Sequence, residues 1–250
     1  MFDLAFVLLR DPGYPVPEQV IASARELGFT LTVSDPSADA DAGKGLLTFA
    51  IDGGGTLIIA LMPPHPDAAR MGTGPTSVPA DEAAAARAHL ILTALELGGD
   101  LRRRDARMAA LTAAVLDHVP AVGAMLGHGA LFHRADLFRD LARLGAEHGT
   151  LPAELAVDIT AARESEARMS FLSHGLARLG GEEVYVTCPI RGKGAVDFMF
   201  GMVRWLYGAP DTRLPTGHTV GRSETEQVRV QRVPSPTGKG ADVIRLDLER

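Results

Sequence analysis

A chain of 250 residues with 46% hydrophobic and 22% charged residues can bury the core of one large domain or of two small ones. The net charge of −6 disfavours general nucleic-acid binding, which usually requires a basic surface. The single cysteine, Cys188, excludes an internal disulfide and a cysteine-rich zinc site. No apolar run approaches the ~18–20 residues of a membrane span, and the N-terminal segment lacks the basic region and cleavage site of a signal peptide. We therefore expect a soluble cytoplasmic protein with no nucleic-acid or membrane partner.

The charges are divided unevenly along the chain. Residues 1–165 carry 21 acidic and 13 basic side chains, a net charge of −8, and residues 166–250 carry 10 acidic and 12 basic ones, a net charge of +2. We therefore predict an α+β N-terminal part, 1–165, and an α+β C-terminal part, 166–250, or else a single domain over 1–250. The two parts could attract each other or offer a partner two differently charged faces, and the first alternative needs no further molecule.

The first two thirds of the sequence alternate between apolar strands and amphipathic helices. The glycines of Asp52-Gly-Gly-Gly55 predict a tight hairpin, because they supply the positive φ angles of such a turn. The Pro/Gly-rich stretch PPHPDAARMGTGPTSVPA predicts a functional or mobile loop. Strands are predicted at 2–9, 29–33, 46–51, 56–61, 89–95 and 121–126, and helices from 17, near 81, from 100 to 118, from 131 to 144 and at 153–162.

The last third is richer in hairpins. Residues 170–179 and 183–189 predict two strands that turn at Gly180-Gly181, and 195–207 predicts a helix. Short strands follow at 219–220, 227–233 and 243–248. We predict an α+β fold with largely antiparallel or mixed sheets, helices packed on one face, and two sub-lobes in one compact unit. A Rossmann-like parallel sheet is not expected.

Four segments together resemble a known family. They are HLILTALELGGDLRRRDARMAALTAAVLDHVPAVGAML, SFLSHGLARLGGEEVYVTCPI, LPTGHTVGRSETEQVRV and RVPSPTGKGADVIRLDL. The combination resembles the bacterial family called domain of unknown function 4261, over roughly Phe2 to Leu248 and most densely after Met169. The resemblance implies no activity and no catalytic residues, because none is assigned to that family.

The stretch HVPAVGAMLGHGALFH contains three histidines that could bind a metal. His128 and His133 could converge, with His118 or Asp136 as a third ligand. A strand over 121–126 rises ~3.3 Å per residue, which places His118 roughly 20 Å from His128. We therefore predict no metal here. His128, flanked by glycines at a strand end, is a candidate for lining a pocket, because ligand crevices often open at strand ends.

Cys188 and His174 could form a nucleophile with its base. A two-residue turn at Gly180-Gly181 would pair Cys188 with Ser173, so that Cys188 and His174 would lie on opposite faces of the sheet. We therefore predict a buried structural cysteine.

Two glycine-rich segments and one basic cluster suggest anion binding or an acidic partner. RGKGAVD precedes a helix whose amides could hold an anion, but neither it nor PSPTGKGAD has the P-loop spacing. The cluster LRRRDAR opens a helix, where the dipole slightly disfavours cations. A solvated turn and a solvated helix face are the simpler interpretations.

The turn TVGRSETEQ places Thr219, Arg222, Ser223 and Glu224 between two short strands. These side chains could form a recognition edge, or they could fasten the loop to the rest of the fold.

The chain has no recognisable nucleophile elbow, Walker loop, metal triad, dinucleotide fingerprint or paired-carboxylate motif. We therefore predict a non-catalytic protein-binding or adaptor module without cofactor or metal, whose acidic first part docks another protein. Homodimerisation through a strand edge is compatible with this function. The alternative is an enzyme or small-ligand-binding protein with a pocket near His89, His128 and the 219–224 turn. The candidate ligand-binding residues are His89, His128, Thr219, Arg222 and Glu224.

Overall fold

The computed structural model describes residues 2–34, 45–190, 192–221, 226–238 and 240–249. The chain divides into two compact units. The first comprises Met1–Met71 and Thr76–Ala156, and the second comprises Gly72–Pro75 and Val157–Arg250. The change of unit after Ala156 lies earlier than the predicted boundary at 165/166, and a short stretch inside the first part of the sequence belongs to the second unit.

The first unit is built on a seven-stranded sheet with the strand order β2-β3-β4-β5-β1-β6-β7. All its strand pairs are antiparallel. The strands are β1 (Phe2–Leu9), β2 (Leu31–Val33), β3 (Leu46–Ile51), β4 (Thr56–Met62), β5 (Ala88–Leu95), β6 (Ala121–Leu126) and β7 (His133–Arg134). The helices are α1 (Pro17–Glu26), α2 (Ala80–Ala84), α3 (Leu101–Leu116), α4 (Ala135–His148) and α5 (Ala153–Ala156), with a 3-10 turn at Ala68–Arg70.

Local sequence signals account for the main boundaries of this unit. The β3–β4 turn needs glycine, because Gly53, Gly54 and Gly55 all have positive φ. A side chain at Gly55 would also clash with the carbonyl oxygen of Leu95, 2.7 Å from the ideal Cβ position. The carboxylate of Asp100 accepts a hydrogen bond from the amide of Arg103 and caps α3, as predicted.

The second unit contains a six-stranded mixed sheet with the order β11-β12-β13-β10-β9-β8. Only the β10–β13 pair is parallel among the strand pairs of the described residues. Its elements are β8 (Asp158–Arg163), β9 (Arg168–His174), β10 (Val184–Pro189), α6 (Ala195–Gly208), β11 (Thr219–Val220), β12 (Val228–Val233) and β13 (Val243–Asp247). The α+β class with mostly antiparallel and mixed sheets is therefore confirmed. No helix in the described parts of the chain is long and apolar enough to cross a membrane.

Two predicted helices were wrong in their bounds. The helix expected at 153–162 ends at Ala156, because the residues after it pair with β9 as strand β8. The helix expected from 131 begins at Ala135, because His133 and Arg134 pair with β6. In both places strand pairing with a distant segment overrides an alanine-rich or amphipathic local pattern.

The β9–β10 connection is longer than the predicted two-residue turn. It contains a 3-10 turn at Ala177–Leu179 and is closed by Glu183, whose carboxylate accepts hydrogen bonds from the amides of Gly175 and Ala177. Cys188 consequently pairs with Met169 and not with Ser173. The shift is an even number of residues, so Cys188 and His174 still lie on opposite faces of the sheet.

Candidate functional site

The first sheet has one face that is closed by the chain's own helices. Asp3 of β1 forms an ion pair with Arg104 of α3, with Nη2 and Oδ1 2.6 Å apart. Every second side chain along a strand points to the same face of the sheet, and paired residues of neighbouring strands share a face. The side chains on the face of Asp3 therefore also point toward α3. Those that are completely buried include Ala5, Val7, Leu57, Ile59, Leu90 and Leu92.

On the opposite face of the same sheet, the described residues of the first unit form a core over β1 and β6. The segment between β4 and β5 packs there against β1 and β6, with a core that includes Leu8, Val78, Met125 and Phe132. Over β3, β4 and β5 the side chains of this face other than His89 are not fully buried, and we call them the open face. The open face consists of Leu46, Thr48, Ala50, Thr56, Ile58, Ala60, Met62, Ile91, Thr93 and Leu95.

The open face is apolar and has its larger exposed side chains at the perimeter. Leu46, Met62 and Leu95 are 54%, 39% and 37% exposed. The register aligns Leu46 with Ala60 and Ile91 in one row, and Thr48 with Ile58 and Thr93 in the next. The middle of the face combines the small side chains of Ala60 and Thr93 with the larger ones of Ile58 and Ile91.

Two acidic residues border one end of the open face. Asp52 in the β3–β4 turn and Glu96 after β5 are both exposed. They lie at the Leu95 end, because the turn packs on the backbone of Leu95 and Glu96 at Gly55. None of the ten residues of the open face carries a charge. The surface is therefore an uncharged, mostly apolar face with acidic residues at its Leu95 end.

His89 of β5 lies at the other end of the open face, where it pairs with Met62 of β4. It is buried, and its Nδ1 lies 2.6 Å from the carbonyl oxygen of Pro63. Its ring centroid is 5.0 Å from that of His65. Burial lowers the pKa of His89, the hydrogen bond to Pro63 raises it, and the neighbouring His65 lowers it, with a net lowering. A carbonyl can only accept, so Nδ1 carries the proton and the neutral imidazole fastens the β4–β5 connection to the sheet.

His128 follows β6 and lies beside a small cleft. The cleft has a volume of about 200 Å³, below the ~300 Å³ at which pockets for drug-sized ligands begin. The carboxylate of Asp3 in this cleft is already held by two hydrogen bonds from Arg104. A side chain at Gly127 would approach the Cβ of Leu4 to 2.5 Å, which explains the glycine before His128. The lining residues are Asp3, Leu4, Asp105, Met108, Leu126, Gly127 and His128.

His89 and His128, the two predicted ligand-binding residues of the first unit, do not lie in one pocket. His89 pairs with Leu8, whereas the amide of Gly127, beside His128, bonds to the carbonyl of Leu4. Four residues of strand, about 13 Å, separate these levels of β1. Thr219 is exposed in β11 of the second unit and pairs with Arg229. Arg222 and Glu224 lie outside the described residues.

The other candidate groups have structural partners. His118 hydrogen-bonds to Ser23, and His174 hydrogen-bonds to Thr160. Cys188 is buried, and burial raises the pKa of its thiol, the reverse of what a nucleophile requires. Within the described residues no group of three or more His, Cys, Asp or Glu side chains could hold a metal ion.

The basic cluster LRRRDAR is not simply a solvated helix face. Arg104 is 15% exposed and pairs with Asp3, and Arg107 donates to the carbonyl of Leu97 and lies 5.6 Å from the ring centroid of Phe29. Arg191 and Lys239 of the two glycine-rich segments lie outside the described residues.

The sequence did not identify the open face. Strands such as TLIIALM and HLILTAL are apolar on both faces, a pattern that is typical of strands buried on both sides. The available signal was the order of elements: β3 and β4 form a hairpin, so no crossover helix follows β3 to cover a second face.

Comparison with known proteins adds no relative: no family model, no curated protein and no solved structure matches this chain. The resemblance described above stays a prediction.

Proposed function

We propose that this chain is a non-catalytic module that binds another protein through the open face. The observation that carries the proposal is the exposure of large apolar side chains in one uncharged patch. Strand spacing and rise give the patch roughly 15 by 20 Å, or about 300 Å². Contiguous apolar patches of this size are often functional on monomeric proteins, because their exposure to water is unfavourable.

The size of the patch sets the kind of interaction. Stable interfaces bury about 800 Å² on each partner. The open face alone is smaller, so it supports a transient complex or the apolar centre of a larger contact. The acidic border, which belongs to the net-acidic part of the sequence, supplies a polar rim of the kind that steers a partner.

Site-specific photocrosslinking tests the proposal. A photoreactive amino acid at Leu46 should crosslink to a protein partner in the cells that make this chain, and one at Leu144 should not. Leu144 is a matched control, because it is an apolar residue of α4 with 42% exposure. With the partner purified, the double variant Leu46→Asp/Met62→Asp should lose binding and Leu144→Asp should keep it. Equal crosslinking at both positions would contradict the proposal.

A small-ligand function is the second candidate, and the cleft beside His128 is the observation in its favour. The cleft combines the carboxylates of Asp3 and Asp105 with an exposed imidazole, which suits a ligand of a few atoms that donates hydrogen bonds. Titration with methylammonium and guanidinium ions, followed by NMR, would show saturable shifts at Gly127 and His128. Shifts that persist in His128→Ala would count against the site.

We also propose a cytoplasmic location and membership of the resembled family, and neither affects the argument for the open face.

A further inference from the structure

We infer that the segment bound by the open face is an amphipathic α-helix with basic residues at one end. The inference rests on the proposed function and adds the chemistry of the partner. Two properties of the open face support it: its backbone is already paired, and the described residues at its Leu95 end include two acidic side chains.

The first property decides between a strand and a helix. β3 is paired with β2 and β4, β4 with β3 and β5, and β5 with β4 and β1. The backbone donors and acceptors of a sheet lie in its plane and point toward neighbouring strands, so they are not offered to a segment lying on the face. An extended segment would leave its own amides and carbonyls without partners on an apolar surface, which is costly. A helix satisfies these groups internally and needs only an apolar stripe.

The second property fixes the charge of the helix. Asp52 and Glu96 lie at the Leu95 end of the open face, and His65 and His89 lie at the other. Arginine or lysine in the terminal turn of the helix next to Leu95 would lie near both carboxylates. Such contacts at an interface rim favour association and weaken as salt is added.

Three acetylated and amidated 16-residue peptides with a fluorescent label test the inference. The first carries leucines at helical spacing in an alanine and glutamine background, with two arginines in one terminal turn. The second replaces the arginines by glutamates. The third has the composition of the first with the leucines at every second position, so that it forms an amphipathic strand. Binding to the full chain is measured by fluorescence anisotropy at 50 mM and 500 mM salt.

The first peptide should bind saturably and at least tenfold more tightly than the other two at 50 mM salt. Its advantage over the second should shrink at 500 mM salt and disappear in Asp52→Asn/Glu96→Gln. Leu46→Asp/Met62→Asp should weaken the first peptide at least tenfold, and Leu144→Asp should leave it unchanged. Circular dichroism of each variant confirms that it folds. Equal binding of the strand peptide, or equal binding of the first peptide to the wild type and to Leu46→Asp/Met62→Asp, would overturn the inference. So would an advantage over the second peptide that persists in Asp52→Asn/Glu96→Gln.

The two proposals fail in different ways. If Leu46 crosslinks to a partner but the first peptide shows no preference, the protein-binding function stands and the helix is wrong. Sedimentation showing a dimer that is lost in Leu46→Asp/Met62→Asp would likewise overturn the helix in favour of a second copy. If neither crosslinks nor peptide binding depend on the open face, both proposals are wrong.

Discussion

Ile91 and Leu92 are neighbours in β5, but their side chains have different surroundings. Leu92 is fully buried on the face that points toward the helices, whereas Ile91 lies partly exposed in the open face. The same contrast holds along β4 between Ile59 and Ile58. The helices of the first unit account for the apolar residues of one face. On the other face, α2 and the rest of the segment between β4 and β5 pack over β1 and β6. Within the described residues the apolar side chains over β3, β4 and β5 stay only partly buried, which is the reason to assign that part of the face to a partner.

The largest expected effect is a difference between truncations of these neighbours. Leu92→Ala should lower the free energy of unfolding by about 2–5 kcal/mol, because it leaves a cavity in a packed core. Ile91→Ala should lower it by about 1 kcal/mol or less, because water already reaches the site. Urea denaturation of both variants measures the difference. Similar losses in the two variants would show that the open face is not open.

The ion pair on the closed face should matter more than one on the surface. Asp3→Asn should destabilise the protein by about 1–3 kcal/mol, because Arg104 would lose its charged partner where both side chains are mostly shielded. Asp11→Asn is the control, since the Asp11–Arg87 pair is 67% and 69% exposed. It should change the stability by no more than about 0.5 kcal/mol. Both values come from the same denaturation series.

The pH dependence of stability reports on the border of the open face. The pKa of His89 is lowered on folding, so between its folded and unfolded values the unfolded state binds more protons. The stabilisation by neutral His89 should be complete above pH 6.5, the unfolded value, and should decline as the pH falls toward the folded value. One group gives a slope of at most about 1.4 kcal/mol per pH unit. His89→Gln should flatten this dependence, which urea denaturation at a series of pH values between 7 and 5 measures.

Sequence features that act on neighbouring residues predicted strands, turns and helix ends well. The apolar run of β1, the glycine turn between β3 and β4 and the Asp100 cap each act over a few residues, so the sequence contains the whole signal. Strand β8 was missed because its Ala-rich sequence becomes a strand only by pairing with β9. The β9–β10 register was missed because it depends on where the Glu183 carboxylate binds backbone amides.

The candidate site was predicted less well, for a physical reason. His128 could be placed beside a cleft from its glycine neighbours at a strand end, although its binding of a ligand stays untested. The open face is a property of three strands and of a missing layer above them. In the sequence, Leu46, Ala60 and Ile91 are of the same residue types as ordinary core residues. Only the assembled sheet therefore distinguishes the two faces.

The smallest expected effect sharpens the comparison most. Thr93→Val replaces a hydroxyl by a methyl group in the middle of the open face, where Thr93 lies between its strand partners Ile58 and Leu4. On an open surface this exchange should change the free energy of unfolding by less than about 0.5 kcal/mol, because the valine is neither packed nor deprived of a hydrogen bond. It should still tighten binding of the arginine-bearing helix peptide a few fold, since one more methyl group is buried on association. Denaturation and anisotropy on the same sample separate the two effects. A change in the free energy of unfolding above about 1 kcal/mol would mean that Thr93 is already packed. The two faces of the sheet would then differ in residue type and not in exposure.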